Sequence, residues 1–326
     1  MFRIIFLICL FSTSFHINAR SLNYKDLAWG SLTYTDVTFL EKYEWPFNPL
    51  SIGHTMSSYQ QYDDGAAYFH HALDIMGHAE QEIFSSTDGK VINIEKYGPD
   101  ELFWEVAILD DNGFIWQYHH VDRKSITDEI HESYKWGMRI LRGTKIGEIV
   151  RWPYPSGSEK FHHLHINVLD KDKNYINPFI FLKPFVDNKA PEILKIGLLK
   201  NGHVIPTNVV SEKYGIYTEV RDLIHHDRFY VPPYLVKYSI NGNTPVTVWK
   251  FDQLPGGSDK KKYINDFFVP DNTCGNYSCR KFFVNLGFVT DKTLKFPTQN
   301  GEHEISVTIM DYYGNKTTKK FKWEIQ

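Results

Sequence analysis

Alternation of apolar and polar residues at period two runs through most of this chain, and no long window carries the 3.6-residue period of an amphipathic helix. Lys90-Val91-Ile92-Asn93-Ile94, Trp104-Glu105-Val106-Ala107-Ile108-Leu109 and Phe114-Ile115-Trp116-Gln117-Tyr118 read as strands. Asp88-Gly89 and Asn112-Gly113 are turn signals, the latter suited to a hairpin joining the second and third of these runs. The best helix candidate is Ser125 to His131, with Ser125 as cap and Asp128 completing a box-like start. The expectation is an all-β fold. The 23 Phe, 20 Tyr and 8 Trp supply ample core and exclude disorder over most of the 326 residues.

The chain divides at Lys183 to Pro191, where two prolines and mixed charges interrupt the pattern. Residues 45–185 form one expected domain, 186–191 a linker and 192–326 a second domain. In the second, short strands recur at Ile193–Leu199, Gly215–Arg221, Leu235–Ile240, Val246–Phe251, Lys281–Leu286, Glu304–Met310 and Lys319–Ile325. Such spacing predicts a small β-sandwich, immunoglobulin-like by analogy. Asp311 to Asn315 is the expected turn between the last two strands.

Residues 1–19 read as a secretory signal: Arg3, then the apolar run Ile4 to Phe11, then Ile17-Asn18-Ala19 as cleavage site. The run is too short to span a bilayer, and no later stretch approaches that length, so stable membrane insertion is not expected. Export to a periplasmic or extracellular space follows. The two cysteines outside the signal, Cys274 and Cys279, then read as a small disulfide-closed loop. Residues 20–44 have no assigned role beyond packing on the first domain or covering its cleft. A net charge of −3 gives no footprint for nucleic acid.

Histidine is the compositional anomaly. Of 15, ten lie between His54 and His165, which points to metal or proton chemistry. His70-His71-Ala72-Leu73-Asp74 and His163-Leu164-His165 are the two motifs. Either alone is expected about once by chance in a chain this rich in His and Asp. On a strand from Phe161 to Leu169, Leu164, Ile166 and Val168 share one face while His163, His165 and Asn167 share the other. Two imidazoles so spaced can converge on one centre. An open zinc site needs three protein ligands, so His70, Asp74, His163 and His165 leave one group for proton transfer. Trp116-Gln117-Tyr118-His119-His120-Val121 adds a strand end, where alternation puts His120 on the face of Tyr118.

Together these motifs resemble the lysostaphin/LytM-type zinc metallopeptidases, whose pattern is H-x-G-x-D, then Y-x-H-L, then H-L-H. The resemblance covers about residues 45–185. It extends to Asp88-Gly89-Lys90-Val91, Leu141-Arg142-Gly143-Thr144-Lys145-Ile146-Gly147 and Asn177-Pro178-Phe179. It implies an antiparallel β metallopeptidase domain of the duplicated hybrid motif type. It also implies one Zn2+ per chain on His70, Asp74 and His165, with His163 and His120 as catalytic histidines. His163 would move protons and His120 would donate to the developing oxyanion. Ala72 and Val121 stand where the family has glycine and leucine, and neither change removes a ligand.

The implied activity is a secreted zinc endopeptidase acting on peptidoglycan peptides. A non-catalytic wall-binding or regulatory module, and a zinc protease of exported proteins, are the competing readings. The second domain would position the enzyme or bind a protein or cell-wall partner. His71, His119 and His162 are expected off the metal, and His54 near the cleft. His225-His226 lack a recognised ligand spacing. Trp116 and Trp152 are candidates for the border of the groove.

Overall fold

The computed structural model describes residues 42–326, except 57–58, 62–66, 157–158, 185, 212, 225–228, 255–266, 270–281 and 288–295. The expected signal segment at residues 1–19, residues 20–41, Cys274, Cys279 and His225-His226 lie outside the described residues.

The fold is mainly β. An antiparallel sheet of nine strands organises the first half. We label β1 (Ser51–Ile52), β2 (Leu73–Met76), β3 (Gly89–Lys96), β4 (Trp104–Asp110), β5 (Ile115–His119), β6 (Arg139–Ile140), β7 (His163–Leu169) and β8 (Tyr175–Ile176). Their order is β1-β2-β7-β5-β4-β3-β6, with β8 paired to the far end of β7. The ninth strand, Gln253–Leu254, comes from the second half of the chain and pairs with β8. Alternation sends Leu73, Ile75, Val106, Ile108, Trp116, Tyr118, Leu164, Ile166 and Val168 into one core. The opposite face is polar and carries the site.

The hairpin between β4 and β5 turns at Asn112-Gly113 as the sequence suggests, with Gly113 at φ +88°. Asp110 locks it, its Oδ1 accepting from the amides of Asn112 and Phe114. Asp311 locks the turn after Gly301–Met310 in the same way, through the amides of Tyr313 and Asn315. The helix differs from expectation. It spans Asp128–Trp136 (α1) with Thr127 as its N-cap residue. Ser125 is spent elsewhere: its hydroxyl donates to the Asp122 carbonyl and accepts from the Glu148 amide. It ends a 3-10 turn, Arg123–Ser125, which Asp122 caps. Ile130 anchors α1 in the core.

Among the described residues, the second half has two five-stranded sheets. One contains Glu192–Lys200, Gly215–Leu223 and Phe282–Asn285; the other contains Leu235–Ile240, Gly301–Met310 and Lys316–Ile325. Their inner faces share one core, with Leu198, Ile216 and Val284 opposite Val236, Ile305, Val307 and Trp323. This is sheet-on-sheet packing.

The cores interlock. Met56 and Phe69, from the first half, belong to the second core. Phe69 meets the rings of Phe267 and Phe251 at 4.9 and 5.7 Å. In return Ile224 and Val231 bury in the first core, and Phe229 packs on Phe161 at 5.6 Å. At the described start, Tyr43 bridges to Leu182 and packs on Trp116, on the core side of the sheet rather than the polar side.

Candidate metal centre

The site is assembled where β2, β7 and β5 lie side by side. Register places Asp74 beside His165 on one flank and His119 beside it on the other. His70 enters from the turn just before β2. Its Nδ1 faces the Thr55 carbonyl at 3.1 Å, which fixes the proton there and leaves Nε2 as a lone pair. That Nε2 lies 3.1 Å from His165 Nδ1 and 3.1 Å from Asp74 Oδ1. The third side, His165 Nδ1 to Asp74 Oδ1, is 3.0 Å. Three donor atoms thus form a nearly equilateral triangle. Ligands bound to tetrahedral zinc at 2.0–2.1 Å stand roughly 3.3 Å apart, so the set fits that ion. The chemistry fits as well: the His70 lone pair and the Asp74 oxygen face each other, an arrangement that a cation relieves.

The cluster is deeply placed. His70 and Asp74 are 0% and 1% exposed. Burial alone favours neutral Asp74, but His70, His163 and the contacts from His165 and His54 outweigh it and hold its carboxyl well below the usual range. Burial pushes His165 down to about 3. A neutral imidazole and an ionised carboxylate are the forms that bind metal.

His163 and His120 flank this triangle. The Nδ1 of His163 donates to the Phe161 carbonyl at 2.8 Å, and its Nε2 lies 4.0 Å from Asp74 Oδ1. The Nδ1 of His120 donates to the Leu102 carbonyl at 2.9 Å, with the Tyr97 hydroxyl 3.1 Å away. The two rings are 4.7 Å apart, and Trp152 covers both, at 4.6 Å from His120 and 5.1 Å from His163. Burial lowers the pKa of each, that of His120 strongly, with the nearby His163 and His165 adding to the effect.

Alternation misplaces His120. Tyr118 points into the core, where its hydroxyl accepts from the Ser86 amide. His120 does not share that face, because its φ of +63° breaks the strand and swings the ring back over the site. Trp116 is also corrected: it is fully buried, with Nε1 donating to Asp110, and borders no groove. Trp152 does border the site. His71 and His119 stand at its rim, with ring centres 5.3 and 5.2 Å from His165. His162 lies apart, accepting from the Trp152 amide.

No family model matches this chain, and no curated protein matches it. Solved structures do. Lysostaphin from Staphylococcus simulans, an antimicrobial peptidase, matches over 86% of this chain and 91% of its own, at 12% identity and TM-score 0.34. Csd3 of Helicobacter pylori matches over 44% of this chain and 35% of its own, at 20% identity and TM-score 0.32. A zinc-containing peptidase from Vibrio cholerae matches over 45% and 41%, at 19% identity and TM-score 0.31. The chain resembles lysostaphin/LytM-type peptidases. It spans well under half the length of the Helicobacter and Vibrio proteins.

His54 and Glu105 also join the site from outside the lysostaphin/LytM-type pattern. His54 Nδ1 lies 3.0 Å from Asp74 Oδ2, the oxygen turned away from the triangle. Glu105, on β4, lies 3.0 Å from His119 Nε2 and also accepts from Asn93 and Gln117. Burial opposes its ionisation, but these contacts outweigh it and lower its pKa. Its signal was available: it is the one charged residue in the run Trp104 to Leu109.

Proposed function

We propose that this chain is an exported zinc endopeptidase that cleaves peptides of peptidoglycan. What carries the reading is the convergence of His70 Nε2, Asp74 Oδ1 and His165 Nδ1 to 3.0–3.1 Å, with two further histidines beside them. His70, Asp74 and His165 would hold the ion. Zinc bound there supplies a Lewis acid that polarises a scissile carbonyl and lowers the pKa of an attacking water toward neutrality.

The protein's own groups do the rest. His163 and His120 each donate a hydrogen bond from Nδ1 to a backbone carbonyl, so each presents an unprotonated Nε2. Burial keeps both rings neutral. His163 takes a proton from the nucleophilic water and delivers it to the leaving amine. His120, in the same tautomer, accepts first and can donate toward the oxyanion only once protonated. Trp152 shields both rings from bulk water. The sandwich of residues 192–326, immunoglobulin-like in this reading, positions the enzyme on the wall or on a partner. Among the described residues no helix is long and apolar enough to cross a membrane.

Elemental analysis of the purified chain beside His165→Ala tests the metal. About one zinc per wild-type chain and none in the variant is expected. A folded, never-chelated wild type without stoichiometric zinc would overturn the proposal. Digestion of purified cell wall in preference to casein is the expected substrate result, and the reverse preference would favour a protease of exported proteins.

A further inference from the structure

The carboxylate of Asp74 is divided between two tasks. Oδ1 faces His70 and His165, while Oδ2 faces His54 Nδ1 at 3.0 Å. His54 is placed for this by main chain and packing together. The Gly53 amide donates to the Asp74 carbonyl and the Asp74 amide to the His54 carbonyl, both at 2.9 Å, extending the β1–β2 pairing by one bridge. The His54 ring packs 5.6 Å from Phe161 and 5.4 Å from His70, and the residue is 4% exposed. Gly53 makes room: a Cβ there would meet Met76 Sδ at 2.8 Å and the Phe161 ring at 3.0 Å.

We propose that His54 is a positioning residue which donates from Nδ1 to Asp74 Oδ2 and so commits Asp74 to bind the metal through Oδ1 alone. This rests on the metal site of the preceding proposal. A carboxylate with both oxygens available can rotate or chelate through two atoms. Tying one oxygen to a buried, ring-packed donor removes that freedom before metal arrives. The same contact explains how His54 can lie close enough to His70 and Asp74 to resemble a ligand while its nitrogen is already engaged by Oδ2.

The test reads zinc affinity, by competition with a chromophoric chelator, and needs no substrate. His54→Phe keeps a ring against Phe161 and removes the donor; His54→Ala is read beside it in case Phe packs poorly. His54→Asn places an amide nitrogen near the position of Nδ1. The Phe and Ala variants are expected to bind one zinc about 10–100-fold more weakly than wild type, while Asn retains most of the affinity. Thermal stability of the metal-free chain should be similar in the Asn and Phe variants, separating positioning from bulk packing. Wild-type affinity in both Phe and Ala would overturn the inference alone. So would equal weakness of Asn and Phe, which marks a purely structural ring. Complete loss of zinc from Phe at saturating metal, with retention in His165→Ala, would make His54 a ligand and overturn it too. A wild type that binds no zinc would remove the preceding proposal and this one with it.

Discussion

Tyr118 and His120 are two residues apart on one strand end, yet they lie on opposite sides of the sheet, because His120 has a φ of +63°. The left-handed residue costs the chain roughly 1 kcal/mol, and the contacts at Leu102 and Tyr97 fix the ring over His163.

The first prediction follows from that placement. His120→Ala and His163→Ala each leave the His70, Asp74 and His165 donors intact. Both should retain stoichiometric zinc and lose turnover by about 10²–10⁴-fold, the usual weight of a proton-transfer group. Parallel zinc and hydrolysis assays check this; full activity in His163→Ala would remove its assigned role.

Glu105 supports a second. It is 4% exposed and satisfies Asn93, Gln117 and His119. Replacing it with Leu strands buried His119, at about 1–3 kcal/mol for an unsatisfied buried donor, and takes an acceptor from half-buried Asn93 and Gln117. Chemical denaturation of Glu105→Leu should show a loss of several kcal/mol, while Glu105→Gln loses less. Zinc content of the folded fraction should not change.

Asp222 gives a pH dependence. Its Oδ1 accepts from the Leu223 amide, but its buried Oδ2 has no hydrogen-bond partner among the described residues. Burial, and then the charges of Asp311, Asp187 and Glu192, push its pKa well above 3.8. The folded state therefore holds this proton more tightly than the unfolded state. The group's contribution is most favourable below pH 3.8 and is lost as pH rises through the folded pKa. Asp222→Asn should accordingly raise the melting temperature at pH 7 by a few degrees and change it little near pH 3. A variant less stable than wild type at pH 7 would show that the carboxylate is paired in solution.

Phe69 predicts cooperativity. It is 2% exposed and sits in the core of the second half, so Phe69→Ala should cost about 3–5 kcal/mol. Because it lies beside His70, that loss should also lower zinc affinity. Calorimetry of the whole chain should show one transition. Two well-separated transitions would mean that the halves unfold independently.

Several of these features were legible in sequence. The face of β7 was, since alternation through Leu164, Ile166 and Val168 is read directly from period two, and the hairpin at Asn112-Gly113 needed only a residue that tolerates positive φ. The side taken by His120 was hidden, because nothing local announces a left-handed histidine. Ser125 looked like a helix cap because its hydroxyl's engagement, with Asp122 in a local 3-10 turn and with the distant Glu148 amide, is not announced by spacing. His54 meets Asp74 across 20 residues and His165 meets Asp74 across 91, distances at which spacing says little without a fold. The burial of Phe69 under Phe251 and Phe267 is of the same kind.

The ninth strand of the site sheet, Gln253–Leu254, has a bearing on the order of synthesis. A chain made from its N-terminus presents the edge of β8 before Gln253–Leu254 exist to pair with it, and the ring of Phe69 before Phe251, Phe267 and Phe268 exist to pack on it. Asp74 has its strand partners by residue 169, but the Phe69 flank of His70 gains its packing only then. A nascent chain that already contains every histidine of the cleft thus still lacks part of the packing behind them, and the last third of the polypeptide completes it.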